Sequence, residues 1–500
     1  MSAPISASGS DAGTLGLSPT VALAAVLLAA TAVRLWVGAS VPLTEDEAYY
    51  RLWSLRPALG YFDHPPMISW WTWLGRGIAG DDPLGVRLLP VLSTAATTWL
   101  TLDVARQAGF GERVAAQAGV WLNATLLVGF AGEMAVPDEP ATLFWMATLA
   151  CAFRAQTGRR AWWLGAGVAA GLACLSKYSA LFLAPGLLIW LALTAEGRRA
   201  LRTPWPWLGA LAAGAVFAPN VAWNAAHGWM TFAKQFGRVA ATSFEPAFLA
   251  KLLLDQTLLL NPLIALFVGL AIRRSAAWPL LAISAPFAAY LAVHSLHAEV
   301  QGQWPAPLYP ALAIAASAAA EETRGPLAAA RRLAAPFGLA VVAAAFAWLL
   351  ASPDRALPFR DPLAPYRDWT GFAARVEAAR LGAGAAWVGS PTYGVAAQLA
   401  AAPALRAPSA QILQRERYTF ETPTERANFN EPGLVLIPPG NPSGSLLARC
   451  FADVRPREPL VRGEGASAAT YAAFRVAGPL RDVEHRGCAD LPAGPEAAAP

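Results

Sequence analysis

Charged residues are scarce in this sequence, and their scarcity excludes the commonest class of protein. Asp, Glu, Lys and Arg make up only 14% of the 500 residues, whereas 56% are hydrophobic. Soluble globular domains average about 25% charged residues, so we expect lipid rather than water to be the main solvent of this chain. The net charge of +5 comes from short Lys/Arg clusters between apolar stretches, a pattern typical of membrane topology rather than nucleic-acid binding.

Cysteine is also rare, and its spacing excludes a cysteine-based metal cluster. The four cysteines, Cys151, Cys174, Cys450 and Cys488, show no paired spacing of the kind that binds zinc. Cys151 and Cys174 lie in apolar stretches, where cysteine acts as a small hydrophobic residue. Cys450 and Cys488 lie in the polar C-terminal region and could pair in an oxidising compartment, but spacing alone leaves that pairing open.

Apolar stretches of spanning length occupy most of residues 15–351 and predict a polytopic, all-α membrane region. They amount to about eleven transmembrane helices. The first stretch, Leu15 to Val33, is longer than the ~7–15-residue apolar core of a signal peptide, so we interpret it as an uncleaved span. Residues 1–14 are predicted to be a disordered cytoplasmic N-terminus. No internal repeat is visible, which argues against an inverted-repeat transporter.

Positive charges mark alternate loops between these spans and predict the orientation of the chain. The Lys/Arg-rich loops, predicted to be cytoplasmic, contain Arg106, Arg113, Arg154, Arg159, Arg160, Arg198, Arg199, Arg202, Arg273, Arg274, Arg324, Arg331 and Arg332. The intervening loops carry acids and histidines with far fewer cations, so we expect them to face the periplasm. An odd number of spans then places the C-terminal region on the periplasmic side of a bacterial inner membrane.

After about residue 352 the apolar runs shorten, and the pattern becomes that of a small soluble domain. Residues 386–389 and 434–437 are predicted to be strands, and residues 393–402 a helix. We therefore predict a periplasmic α/β domain over residues 352–491, followed by an Ala/Pro-rich disordered tail at 492–500. The predicted fold class is an all-α polytopic membrane protein with a C-terminal periplasmic α/β domain.

The first outer loop carries the densest set of chemically useful side chains. Its two motifs are Thr-Glu-Asp-Glu-Ala-Tyr-Tyr at 44–50 and Tyr-Phe-Asp-His-Pro-Pro at 61–66, and three tryptophans follow at 70, 71 and 73. Carboxylates beside a membrane surface and flanked by aromatic rings can hold a polar headgroup. Taken alone, an interfacial aromatic belt with solvated acids explains the stretch equally well.

Two further charges are predicted at the same membrane depth. Asp138 lies where the next outer loop re-enters lipid, and Lys177 is an isolated cation near the outer end of an apolar segment. Charges at such positions are costly unless they are solvated, paired or used in function. A helix N-cap is the structural alternative for Asp138, and a snorkelling side chain is the alternative for Lys177.

Two more segments belong to the predicted outer face, around His227 and Trp304. His227 could act as a base or as a metal ligand with Asp63 or His64, but a histidine beside tryptophans is more often an interfacial hydrogen-bonding residue. We predict that no cofactor is required, and the sequence leaves open whether a divalent metal takes part.

An ordered set of motifs resembles a known family. The motifs are Asp-Glu-Ala-Tyr-Tyr at 46–50, Tyr-Phe-Asp-His-Pro-Pro at 61–66, Pro-Asp-Glu-Pro at 137–140, Ser-Lys-Tyr at 176–178, Trp-Asn-Ala-Ala-His-Gly-Trp at 223–229 and Trp-Pro-Ala-Pro at 304–307. In this order they resemble bacterial glycosyltransferases related to lipid A aminoarabinose transferase and protein O-mannosyltransferases. The resemblance covers roughly residues 15 to 320.

The resemblance implies a GT-C fold, with amphipathic juxtamembrane helices in the first outer loop and a periplasmic C-terminal domain. It implies catalytic roles for Asp46 and Asp138 and a contact between Lys177 and the donor phosphate. The full predicted substrate-binding set is Glu47, Tyr50, Arg51, Tyr61, Asp63, His64, Lys177, Tyr178, His227 and Trp304. His64 stands where the aminoarabinose branch often has a lysine, which weakens any expectation of aminoarabinose specificity.

The predicted activity is transfer of a sugar from a polyprenyl phosphate carrier to an envelope acceptor at the periplasmic face, with inversion at the anomeric carbon. The acceptor could be lipid A, another glycan, a lipid or a protein. The alternative is a lipid or sugar transporter, or flippase, without transferase chemistry. A transporter would favour repeats and polar residues at the midplane of the membrane, whereas the acids here cluster towards one face.

Overall fold

The computed structural model describes residues 18–237, 244–273, 277–351, 361, 363–418, 420 and 426–488. The predicted N-terminal segment 1–14, the tail 492–500 and Arg274 lie outside these residues. The membrane region is helical, with α1 Pro19–Ser40, α2 Glu45–Ser54, α3 Met67–Ala79, α4 Pro83–Gln107, α5 Glu112–Asn123, α6 Leu126–Gly129, α7 Asp138–Thr157, α8 Trp162–Ser176, α9 Leu183–Leu193, α10 Ala195–Leu201, α11 Trp205–Ala226, α12 Met230–Gly237, α13 Ala247–Leu259, α14 Pro262–Ala271, α15 Trp278–His294, α16 Tyr309–Glu321 and α17 Pro326–Ala351.

Three of the described helices, α1, α4 and α17, are long and apolar enough to cross a membrane by themselves. Three bent pairs pass the same test when each pair is taken as one span: α5 with the segment 126–133, the segment 178–193 with α10, and α13 with α14. The predicted number of about eleven spans stays a prediction. The first helix begins four residues after Leu15, because Ser18 caps its N-terminus and Pro19 occupies its first turn.

A five-stranded sheet lies in the C-terminal part of the chain. The elements here are α18 Trp369–Gly382, β1 Trp387–Ser390, α19 Tyr393–Ala401, β2 Ser409–Gln411, β3 Gly433–Ile437, α20 Leu447–Cys450, β4 Phe451–Arg462, β5 Ala469–Pro479 and α21 Val483–Arg486. The strand order is β2-β1-β3-β5-β4. The first three strands are parallel, and β5 pairs antiparallel with both β3 and β4. Strands β1 and β3 and helix α19 match the elements predicted at 386–389, 434–437 and 393–402.

Strands β2, β4 and β5 are the part of this sheet that the sequence pattern does not predict. β4 lies at the edge of the sheet and is mostly exposed, and it includes two prolines among its charged residues. Proline and exposed charge are typical of edge strands because they discourage pairing with other chains. Because of these residues, β4 lacks the alternation of apolar and polar positions that predicts a strand. Cys450 and Cys488 form a disulfide across this region, with Cα atoms 5.8 Å apart.

In the loop predicted to be the first outer loop, α2 has a well-defined N-terminus. Thr44 caps α2 and accepts a hydrogen bond from the Glu47 amide, while the Glu47 carboxylate accepts one from the Thr44 amide. This reciprocal capping box satisfies two backbone donors that the helix itself leaves unpaired. Helix α3 buries Ile68 and Thr72 while exposing Trp73 and Ile78, so both helices of the loop are present and α3 is amphipathic, as the resemblance implied.

A buried ion pair fixes α2 to the membrane helices. Arg87 of α4 donates to both carboxylate oxygens of Glu47, at 2.7 and 2.6 Å, and neither side chain is exposed to solvent. Arg87 also donates to the carbonyls of Gly38, Val41 and Pro42, which follow or end α1. The pair thus ties α1, α2 and α4 together at one end of the bundle.

The loop before α7 joins the same arrangement. The amide of Ala135 donates to Glu47 Oε1 at 3.0 Å. Although burial opposes its ionisation, the charge and hydrogen bonds of Arg87, together with backbone donors, hold the pKa of Glu47 below its ordinary value. A fully hydrogen-bonded carboxylate of this kind is a structural anion.

Helix α19 of the C-terminal region packs directly on α2. Gly394 lies so close to Glu45 that a Cβ atom added to the glycine would overlap the Glu45 side chain. Further along α19, the Gln398 amide donates to the carbonyl of Leu43 at 2.5 Å. The C-terminal region therefore packs against α2 and the residues just before it.

We expect Arg87→Met to lower the free energy of unfolding by about 3–5 kcal/mol, because the substitution leaves the Glu47 carboxylate buried without its cation. Arg106→Met is the matched control, since its partner Glu112 is 43% exposed and surface pairs contribute only about 0–1 kcal/mol. Thermal unfolding in detergent measures both. Adding Glu47→Gln to Arg87→Met should recover part of the loss, and equal losses in the two single variants would contradict the structural role.

Candidate active site

Asp46 lies on α2 and meets a residue from the far end of the chain. The hydroxyl of Tyr393, at the start of α19, donates to Asp46 Oδ1 at 2.6 Å. Burial is the main reason that the pKa of Asp46 is raised, and the charge of Asp63 adds to it, whereas the Tyr393 hydrogen bond and Arg417 act in the opposite direction. A carboxylate with a raised pKa is a better proton acceptor than one in water.

Asp63 lies in the same loop and is held by another C-terminal residue. Arg417 Nη1 forms an ion pair with Asp63 Oδ2 at 2.9 Å, with both side chains largely buried. The Tyr49 hydroxyl lies 3.0 Å from the same oxygen and 2.9 Å from the carbonyl of Arg417. The Arg417 guanidinium also lies 4.4 Å from the centre of the Tyr393 ring, which links the partners of Asp46 and Asp63 to each other.

Asp138, Lys177 and Trp304 come together although they are distant in sequence. Lys177 Nζ lies 2.6 Å from Asp138 Oδ1, with the two side chains only 14% and 6% exposed. The same ammonium lies 5.8 Å from the centre of the Trp304 ring, within range of a cation–π contact. Asp138 is the first residue of α7 and no side-chain cap is formed there, so pairing rather than N-capping explains its burial.

Tyr50 connects the two groups of acids. Its side chain is 5% exposed and packs edge-on against Trp53, with ring centres 5.0 Å apart. Burial raises the pKa of Tyr50 well above its ordinary value, and the negative charges of Asp46, Asp63 and Asp138 raise it further. Carboxylates of both groups therefore lie within electrostatic range of the Tyr50 hydroxyl.

Three predicted substrate-binding residues have structural partners instead of open surface. Glu47 is enclosed by Arg87, and this placement does not support its predicted contact with a substrate. The Tyr61 ring stacks on Trp53 at 4.2 Å and its hydroxyl lies 2.7 Å from Ser69 Oγ. Arg51 pairs with Asp81 at 2.7 Å. These contacts favour roles in positioning the loop, and substrate contacts by Tyr61 and Arg51 stay predictions.

Three other predicted substrate-binding residues, Tyr178, His227 and His64, have different surroundings. The Tyr178 hydroxyl donates to Asn220 Oδ1 at 2.9 Å on α11. His227 follows the end of α11, is exposed and stacks on Trp223 of that helix, with ring centres 4.0 Å apart. The His64 ring lies 6.3 Å from that of Tyr50, so of these residues His64 is the one placed beside the site.

Comparison with known proteins gives matches to membrane glycosyltransferases. Residues 63–223 match the family described as dolichyl-phosphate-mannose-protein mannosyltransferase. The lipid A galacturonosyltransferase RgtD of Rhizobium johnstonii is 34% identical over 190 residues, which is 36% of this chain and 38% of that protein. The undecaprenyl phosphate-alpha-4-amino-4-deoxy-L-arabinose arabinosyl transferase 1 of Pseudomonas fluorescens is 31% identical over 135 residues, covering 26% of this chain and 23% of its own length.

The matched segments span well under half of these two relatives, whereas a structural match extends over nearly the whole chain. The crystal structure of ArnT from Cupriavidus metallidurans bound to undecaprenyl phosphate superposes with a TM-score of 0.62, covering 91% of this chain and 97% of ArnT at 18% identity. The chain has the GT-C fold. The resemblance to the ArnT and protein mannosyltransferase type, drawn from the sequence motifs, is confirmed.

Two site residues of this GT-C chain were missed by sequence reasoning. Tyr393 and Arg417 lie 347 and 354 residues from their partners Asp46 and Asp63. The sequence around Arg417 has no apolar periodicity that would have drawn attention to it. A third residue, Arg87, did carry a signal, because it is a lone charge inside an apolar stretch and such a charge needs a partner. Within the described ranges of the chain, no three His, Cys, Asp or Glu side chains are grouped so as to hold a metal ion.

We expect Lys177→Met to lower the free energy of unfolding by about 2–4 kcal/mol, because Asp138 would be left as an unpaired, largely buried charge. Adding Asp138→Asn should restore at least half of that loss. Lys251→Met is the control, since Lys251 pairs with Asp255 at 2.6 Å but is 50% exposed, so its loss should be about 0–1 kcal/mol. Thermal unfolding in detergent compares them. A Lys177→Met protein as stable as its parent would favour a snorkelling lysine.

Proposed function

We propose that this protein is a glycosyltransferase that moves a sugar from a polyprenyl phosphate carrier to an acceptor in the bacterial envelope. The observations that carry the proposal are two buried polar contacts: Asp46 accepts a hydrogen bond from Tyr393 at 2.6 Å, and Lys177 pairs with Asp138 at 2.6 Å. The first supplies a base and the second supplies a cation for phosphate. GT-C relatives whose names specify an undecaprenyl phosphate sugar or a lipid A product support the same chemistry.

Asp46 is the proposed general base. The acceptor hydroxyl attacks the anomeric carbon, a new acceptor oxygen–carbon bond forms, and the bond from that carbon to the phosphate oxygen breaks. The acceptor proton passes to Asp46, and the electron pair of the broken bond leaves with the polyprenyl phosphate. Displacement from the opposite face inverts the anomeric configuration. The Tyr393 hydrogen bond favours the ionised form of Asp46, because it stabilises the anion and so acts to lower the pKa.

Lys177 is the proposed partner of the donor phosphate. Its ammonium is held by one carboxylate oxygen of Asp138 and faces the ring of Trp304. A lysine has three donors, so an approaching phosphate can share the ammonium without Asp138 giving it up. Charge stabilisation of this kind lowers the barrier when negative charge collects on the leaving group. Asp138 then acts by positioning Lys177.

The proposed acceptor is a lipid A-type glycolipid, by analogy with the relative that is a lipid A galacturonosyltransferase. The sugar is left unspecified. The aminoarabinose branch often has a lysine at the position of His64. Here the cationic group beside Asp63 is Arg417 instead, so the proposed site differs from that branch in its cations. Comparing envelope lipids and glycans by mass spectrometry, in cells with and without the gene, identifies the transferred sugar from the missing mass.

The proposed location of the site is the periplasmic face of the inner membrane. The alternating positive loops support this orientation, and so does the Cys450–Cys488 disulfide in the domain that packs on the site, because disulfides persist in the periplasm and are rare in the cytosol. The alternative of a transporter receives no specific support from the paired acids, which lie at one end of the helices.

We expect Asp46→Asn to reduce sugar transfer by ~10²–10⁴-fold while the protein still inserts in the membrane and stays monodisperse in detergent. Asparagine keeps the shape of the side chain but cannot accept a proton at neutral pH. The measurement is the modified envelope lipid recovered when each variant is returned to cells that lack the gene. Asp453→Asn, on the edge strand β4, is the matched control and should behave as the parent. Near-parental product from Asp46→Asn would overturn the assignment of the base.

We expect Tyr393→Phe to move the acidic limb of the rate–pH profile to higher pH. The Tyr393 hydrogen bond lowers the pKa of Asp46, so its removal raises that pKa, and the base ionises only at a higher pH. The rate at alkaline pH should change much less than the rate at acidic pH. Tyr471→Phe is the control, because its hydroxyl contacts Arg462 rather than an acid of the site. An unshifted profile would remove Tyr393 from the electrostatics of the base.

A further inference from the structure

An open cleft with arginines along one side lies at the opposite end of the helices from the paired acids. It has a volume of about 320 Å³ and lies between α5 and α17, where Arg113, Arg331 and Arg332 are among the residues that line it. Along α17, the 16 residues from Arg332 to Trp348 correspond to about 24 Å at 1.5 Å per residue. Trp348 belongs to the other end, where its indole donates to Asp361 at 3.0 Å.

The cleft concentrates positive charge that the protein itself neutralises only in part. Arg331 Nη1 donates to the carbonyl of Glu321 at the end of α16, at 2.9 Å. Among the described residues, Arg113 and Arg332 have no ion-pair or hydrogen-bond partner, and both are exposed. Glu112 is the nearest acid along the chain to Arg113, and Arg106 occupies both of its oxygens at 2.6 and 2.9 Å.

Behind these arginines the cleft is apolar. Val120, Trp121 and Ala335 line it, and Trp121 is only 1% exposed because it packs against Phe267. The volume falls at the lower end of the range for small-molecule sites, about 300–1,000 Å³. Cationic rims with apolar walls between membrane helices match an amphiphile whose charged head lies at the membrane surface and whose chains stay in lipid.

We infer that this cleft binds the phosphodiester headgroup of an anionic glycerophospholipid from the leaflet at the arginine-rich end of the protein. The two unpaired guanidiniums contact the phosphate, and the first part of an acyl chain lies along Val120 and Ala335. Such a site is separate from the proposed transferase site and does not depend on it. An ordinary positive-inside loop would attract the same lipids without a cleft, so the test must separate the two.

The experiment measures lipid binding to delipidated, full-length protein in detergent by native mass spectrometry. The probes are phosphatidylglycerol, cardiolipin and zwitterionic phosphatidylethanolamine, with inorganic phosphate added in a separate arm. The variant is Arg113→Gln/Arg332→Gln, for which we expect anionic lipid to bind roughly 30-fold more weakly than to the parent. The matched control is Arg159→Gln/Arg160→Gln, which removes the same charge from another arginine-rich loop and should bind like the parent.

Preferential binding of anionic lipid that is lost in the cleft variant and kept in the control supports the site. Equal binding of phosphatidylethanolamine, equal loss in the control, or displacement of bound lipid by millimolar phosphate overturns it. If the double variant does not fold, the single variant Arg332→Gln, at an exposed position, should bind anionic lipid about fivefold more weakly, and unchanged binding there also overturns the site.

Discussion

The buried pair of Arg87 and Glu47 is the interaction on which the candidate site depends. Burying two charges costs several kcal/mol per ion unless every donor and acceptor is satisfied. Here Arg87 reaches three carbonyls around the end of α1 as well as Glu47, and Glu47 also accepts from Thr44 and Ala135. Because Glu47 is one residue from Asp46, the same contacts that satisfy the pair also set the direction in which Asp46 faces.

The C-terminal region contributes side chains to the candidate site. Tyr393 and Arg417 supply the hydrogen bond to Asp46 and the counter-ion of Asp63. Gly394 permits α19 to approach α2 closely enough for these contacts, since any side chain there would collide with Glu45. The electrostatics of the proposed base thus depend on residues of both α2 and the C-terminal region.

The resemblance of the sequence motifs to a known family predicted the GT-C type, and two residues of the candidate site could be singled out for physical reasons. Asp138 and Lys177 are charges in apolar surroundings, where an unpaired charge is too costly to persist, and they do pair at 2.6 Å. The same reasoning could not separate Glu47 from Asp46. A carboxylate that serves a buried ion pair and one that serves a ligand look alike in sequence, because the difference lies in which cation approaches, and Arg87 is 40 residues away.

The sequence by itself indicated a lipid environment, a helical membrane region, a polar loop after the first helix and the lone charges that needed partners, because hydrophobicity and charge are local properties of the residues. Only the tertiary structure decided which partner each charge received. Contacts such as Tyr393 with Asp46 join residues 347 positions apart, and no periodicity or spacing encodes such a distance. They arise when α19 packs on α2, and that packing is a property of surfaces that exist only once the helices and the sheet have formed.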